Sequence, residues 1–225
     1  MCRSIETGRC DTSQPTETIR AIMTNFSYSK QEVQRRLEAL PSRSRVAFGL
    51  SCCERLLPNY VACKQKIKWG DERPLRKTLD ELWKHIEGQV LDELTVGQLL
   101  AACEVVAPDS DDFSELLTTS AQDACFSICC ILEYLLHGDV EQIAQVSSFA
   151  IDTLDLYVSA LLDGFSTAAR AVPYSFEREE RIRLHPLMQR ELARQDVDLK
   201  LLATNPDLDS LKSQWCAPSK SNIDL

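Results

Sequence analysis

The strongest constraint in this sequence is its punctuation, which is helical nearly throughout. A helix starts best where a short polar side chain can take up a free backbone N–H and a polar residue three positions later reciprocates. Ser29 with Glu32, Thr95 with Gln98, and Ser120 with Asp123 are spaced for such boxes. Gly138 supplies a left-handed C-cap, and Asp139 with Gln142 opens another helix at once, so two helices should meet at a sharp corner. Strict alternation of apolar and polar residues is almost absent, so strands are not expected. The sequence therefore reads as all-α: a single compact multi-helix domain of about eight helices over residues 29–225. Residues 1–28 are polar and aperiodic and read as a disordered leader, with Met23 an alternative start.

Prolines and glycines divide the helical part. Pro41 stops a first helix at Leu40, and Ser42 is placed to cap the next, whose Val46, Leu50, Cys53 and Leu57 share a face. Pro58 should break or kink that helix, with a continuation from Tyr60 to Lys68. Helices are expected over about 74–87, from Thr95 through Cys103, and from Ser120 to His137, with a loop at 107–112. Ala121, Ala124, Cys125, Ile128, Ile131, Leu132, Leu135 and Leu136 cover more than half of the 120–137 helix, which should be central. A long amphipathic helix should run from about 139 to 169, closed by Pro173. Pro186 and Pro206 suit the first turns of two last helices.

Several chemistries are excluded. The seven glycines are scattered singly, so no glycine loop can cradle a phosphate. Glu81/His85 and Glu133/His137 stand at i, i+4, whereas carboxylate-bridged metal bundles use i, i+3 pairs, repeated. Ten cysteines are many, but no C-x-x-C exists, and no zinc site or other metal or cofactor is expected. The first residues lack a secretory apolar core and no apolar span could cross a membrane, so a cytoplasmic protein with reduced, packed thiols is expected.

Charge is partitioned sharply. Formal net charge is −9 from 25 basic and 34 acidic residues, which disfavours nucleic acid as a partner. Between 88 and 169 there is no Lys or Arg and there are 14 acids, whereas 30–87 carries 13 basic and 8 acidic groups. On the long helix Glu141, Asp152, Asp155 and Asp163 fall within about 80° of one another, opposite Ile143, Val146, Ala150, Leu154, Tyr157 and Leu161. That acidic ridge is either a solvated face neutralised by the basic N-terminal helices or a surface for a basic protein partner.

The run from Phe48 to Tyr60, with its Cys53-Glu54-Arg55-x-x-Pro58-Asn59-Tyr60 core, is distinctive. Together with Trp83, the acidic loop at 108–113, Asp123-Ala124-Cys125, the 185–195 segment and Ser221-Asn222-Ile223, it resembles the YjaG-like family of bacterial helical proteins. The resemblance runs from about residue 30 to the end and implies an all-α bacterial domain, but no reaction. In physical terms Pro58 should end one helix, Asn59 cap or turn the chain, and Tyr60 anchor the kink, while Glu54 borders the apolar face and can pair there.

Two functions compete. One is a non-catalytic interaction protein, immunity-like or regulatory, whose acidic block binds a basic protein through Glu141, Asp152, Asp155 and Asp163. The other is a small-molecule enzyme or binder whose interhelical pocket draws on Glu54, Asn59, Tyr60, Asp123, Glu133 and His137.

Overall fold

The computed structural model describes residues 29–165, 175–204, 206–216 and 221–225. Among them nine helices follow one another with no strand: α1 Lys30–Glu38, α2 Ser42–Ile67, α3 Arg73–Ile86, α4 Glu93–Val105, α5 Leu117–His137, α6 Val140–Leu162, α7 Phe176–Arg183, α8 Pro186–Ala203 and α9 Leu208–Trp215. The expected leader, Pro173 and the 166–169 end of the long helix lie outside the described residues.

The expected central helix is α5, but it shares the centre with α2. Sixteen of the 26 residues of α2 are buried, too many for one face. Helices α3, α5, α6, α8 and α9 surround it. Gly49 permits the tightest of these packings, since a Cβ there would lie 3.0 Å from Ile131 of α5.

Pro58 does not break α2, which runs unbroken from Ser42 to Ile67 with Asn59 and Tyr60 in its interior. Proline removes one helical N–H and crowds the preceding turn. The missing N–H is the one that would reach the Glu54 carbonyl; one residue on, the Arg55 carbonyl accepts from the backbone N–H of Asn222, 3.2 Å away in the C-terminal tail. The C-terminal tail thus packs against the helix in the turn before Pro58.

Other boundaries moved for local reasons. Asp92, not Thr95, caps α4 by accepting from the Thr95 N–H at 2.7 Å. Helix α5 starts a turn before Ser120, which is buried inside it. Ser42 is the first helical residue of α2, behind Pro41, and its Oγ accepts from the Tyr134 hydroxyl. Ser29 stands at the α1 N-cap in extended backbone, but its hydroxyl donates to Gln31. Helix α6 ends at Leu162 because Gly164 and Phe165 both turn left-handed, with φ of 62° and 56°. Leu161, expected inward, is exposed on that last turn. Helix α7 was not expected, and Pro206 lies before the α9 cap, Asp207. The Gly138–Asp139 corner is as read: Gly138 has φ 73° and Asp139 accepts from the Glu141 N–H.

Candidate functional site

Glu191, Gln195 and Asp198 of α8 stand at i, i+4 and i+7, so they share a face, and all three are buried. They meet Arg55 of α2. Its guanidinium donates to Glu191 Oε1 at 2.9 Å and to Asp198 Oδ2 at 3.1 Å. The Ser51 hydroxyl donates to Asp198 at 2.9 Å, Gln195 donates to Glu191 at 3.1 Å, and Ser147 of α6 donates to Gln195 at 2.6 Å. Burial alone would lower the Arg55 pKa, but Glu191, Cys52 and Asp198 outweigh it and hold the guanidinium charged. Burial raises the Asp198 carboxyl, against the attraction of Arg55 and the Ser51 hydrogen bond. This junction of three helices was missed in the sequence, although three polar residues on a core-facing stripe of α8 were its signal.

The C-terminal tail enters beside it. Ser221, Asn222 and Ile223 are fully buried. Asn59 donates to Asn222 Oδ1 at 2.8 Å and accepts from the Ser221 hydroxyl, while the Asn222 amide donates to the Ala150 carbonyl at 3.1 Å. Arg190 clasps the outside through the Asn222 carbonyl and Asp224. Asn59 therefore holds a tail rather than turning a chain.

The other pocket candidates have separate surroundings. Buried Glu54 accepts two hydrogen bonds from Arg76, at 2.7 and 2.9 Å, and one from Trp83 Nε1 at 2.8 Å. Tyr60 donates to the Val106 carbonyl and accepts from the Asp71 N–H, and a Cβ on Gly70 would fall 2.6 Å from its oxygen. Burial pushes the Tyr60 phenol well above its ordinary value, against the Asp71 hydrogen bond. Asp123 faces α6, where Thr153 donates to it at 2.7 Å, and burial pushes its carboxyl up to about 7. Glu133 and His137 pair with each other at 3.1 Å on the surface.

Two clefts flank α3. One of about 620 Å³ lies between α3 and α4 over Thr78, Leu99 and Ala102. The other is a charged shelf on the outer side of α3. None of the six pocket candidates lines either one. Among the described residues no three His, Cys, Asp or Glu side chains are grouped to hold a metal ion. The eight described cysteines are free, and burial pushes most of their thiols up, Cys52 to about 12 and Cys130 to about 11.

The ridge on α6 divides into covered ends and an open middle. Lys30 of α1 pairs with Glu141 at 2.8 Å and also reaches Gln145. Arg178 of α7 holds both oxygens of Asp163 and the Ser159 hydroxyl. Asp152 and Asp155 are exposed and make no ion pair among the described residues. Both carboxyls are raised, first by partial desolvation and then by a neighbouring carboxylate, Asp155 for Asp152 and Glu179 for Asp155. Phe149, one turn before Asp152, packs against Phe126 of α5 with ring centroids 6.2 Å apart. Phe126 and Leu156 remain more than a third exposed.

A family model described as "Protein of unknown function (DUF416)" matches residues 32–225. The chain belongs to the DUF416 family. It is 28% identical over 197 residues to "Uncharacterized protein YjaG" of Escherichia coli K12, covering 84% of this chain and 94% of that protein. The Salmonella typhimurium protein of the same description is 27% identical over the same length. The crystal structure of a DUF416 family protein from Shewanella baltica OS155 superposes with a TM-score of 0.74 at 23% identity, covering 85% of this chain and 97% of that one. In this DUF416 chain the segment around Pro58 and the tail at 221–223, both among those that carry the resemblance, are brought into contact by the fold.

Proposed function

We propose that this DUF416 protein is a non-catalytic cytoplasmic interaction protein, regulatory or immunity-like, whose acidic block binds a basic protein partner. The observation that carries the reading is the open middle of the ridge. Asp152 and Asp155 are partly desolvated beside Phe126, Phe149 and Leu156 and make no ion pair among the described residues. The nearest cation, Arg178, is held by Asp163 and draws only on Asp155. A Lys or Arg side chain arriving there relieves the repulsion, and its neighbouring apolar residues cover the phenylalanines. Glu141 and Asp163, already engaged by Lys30 and Arg178, frame the patch rather than forming it. The pocket candidates speak for the same reading, because Glu54, Asn59 and Tyr60 spend their polar atoms inside the fold.

The test places a photo-crosslinking residue at Leu156 in cells. The expected adduct is a basic protein, lost on Asp152→Lys with Asp155→Lys while the circular dichroism spectrum is unchanged. Capture should weaken steeply with salt and weaken as pH falls through the raised carboxyl pKa values. An adduct that survives charge reversal contradicts the reading.

A further inference from the structure

A pair of thiols lies beneath the floor of the α3–α4 cleft. Thr78, which lines the cleft with Leu99 and Ala102, accepts a hydrogen bond from the Cys103 thiol of α4 at 3.4 Å. The Cys129 thiol of α5 is hydrogen-bonded to the same Cys103 sulfur, so two cysteines from different helices meet. Cys103 is fully buried and Cys129 nearly so.

The two sulfurs differ in acidity. The Cys129 hydrogen bond, helped by Thr78 and opposed by burial, draws the Cys103 thiol below its ordinary value. The same hydrogen bond, together with burial, pushes the Cys129 thiol up. Cys125, one turn earlier on α5, is pushed up by burial and acts on Cys103 through charge rather than a hydrogen bond. Disulfide formation needs one sulfur to attack and a second in contact to resolve, and Cys103 and Cys129 supply both.

Burial shuts the pair off only while α4 stays in place, and α4 is weakly held. Of its 13 residues only Val96, Leu99 and Cys103 are buried. Gly97 weakens its exposed middle without any packing gain, since a Cβ there would meet nothing within 4 Å. Glu104 in the last turn opposes the helix dipole, and no basic residue there offsets it. A helix with few buried contacts opens locally at less than the free energy of global unfolding. Lifting the last turn of α4 bares Cys103 and Cys129 together.

We propose that Cys103 and Cys129 form a peroxide-sensitive dithiol whose oxidation to a disulfide pins α4 to α5. In the first step the Cys103 thiolate attacks hydrogen peroxide. An S–O bond forms, the O–O bond breaks, and hydroxide leaves and takes up the Cys103 proton as water. The Cys129 sulfur then attacks the sulfenic acid. The S–S bond forms, the S–O bond breaks, and a second water leaves with the Cys129 proton. The two thiols lose two electrons and the peroxide gains them, and exchange with a small thiol reverses the step. The site is separate from the ridge on α6, so either can fail without the other.

Peroxide treatment of the folded full chain, followed by alkylation and non-reducing digestion after glutamate, tests the proposal. Cuts at Glu104 and Glu115 separate Cys103 from Cys125, Cys129 and Cys130, and fragment masses tell those three apart. The expected product is a Cys103–Cys129 link that dithiothreitol reverses. Amide exchange across 93–105 should slow at least tenfold in the oxidised protein, because the opening is blocked. Cys129→Ala should abolish the link and leave Cys103 as a sulfenic acid that dimedone traps, whereas Cys125→Ala should leave the link intact. Wild-type chains without the link, a link from Cys103 to a different cysteine, or exchange across 93–105 unchanged by oxidation would overturn the proposal.

Discussion

Helix α6 has two polar sides, and they are built differently. Inward, Ser147 joins a junction in which Arg55 faces Glu191 and Asp198, with the partners supplied by the same chain. Outward, Asp152 and Asp155 share a surface with Phe126, Phe149 and Leu156 and have no ion pair among the described residues. Buried charge survives only where the fold satisfies it, because desolvation costs several kcal/mol per ion. Surface charge carries no such demand, so an unpaired and crowded carboxylate pair is free to serve a partner.

The inner side should be fragile. Arg55→Met leaves Glu191 and Asp198 buried without their cation and should cost about 3–5 kcal/mol in urea unfolding. A loss below about 1 kcal/mol would show that this junction is not what ties α2 to α8. Next in size, Asn222→Ala removes the bonds to Asn59 and to the Ala150 carbonyl and should cost about 2–3 kcal/mol.

Asp123 sharpens the comparison through pH. Its folded pKa of about 7 lies above its ordinary value of 3.8, so the folded state keeps a proton that the unfolded chain loses. Its contribution to stability is therefore complete below pH 3.8 and is lost as pH rises to about 7. Asp123→Asn, which can still accept from Thr153, should be more stable than the wild type above pH 7. The difference should shrink steadily in acid, as followed by urea titrations across the range. A constant difference would mean that Asp123 is already ionised in the fold.

The smallest effect belongs to the outer side. Asp152→Asn with Asp155→Asn should change stability by no more than about 0.5 kcal/mol, and toward stabilisation, because repulsion is relieved. A large loss would place these two carboxylates in the fold rather than on a binding face.

The helices themselves were legible because caps and C-terminal glycines are local signals. Gly138 and Asp139 behave as read, and so do the N1 proline of α8 and the corner between α5 and α6. What escaped was set from a distance. Pro58 looked like a break because the packing that holds the helix unbroken there, including the tail whose Asn222 N–H meets the Arg55 carbonyl, lies far along the chain. Thr95 looked like a cap, but Asp92, three residues earlier, accepts from the Thr95 N–H and starts the helix ahead of it. Within the candidate site, the partners of Glu54 and Asn59 depend on packing that no spacing rule reaches. The charge partition was legible in full, yet only the structure distinguishes the neutralised ends of the ridge, at Lys30 and Arg178, from its open middle.

The most direct measurement titrates isotopically labelled protein with an amphipathic helical peptide of lysine and leucine. Amide shifts should cluster at Phe126, Phe149, Asp152, Asp155 and Leu156, weaken with salt, and vanish on Asp152→Lys with Asp155→Lys. Shifts centred elsewhere, or shifts at this face that persist after charge reversal, would contradict the account.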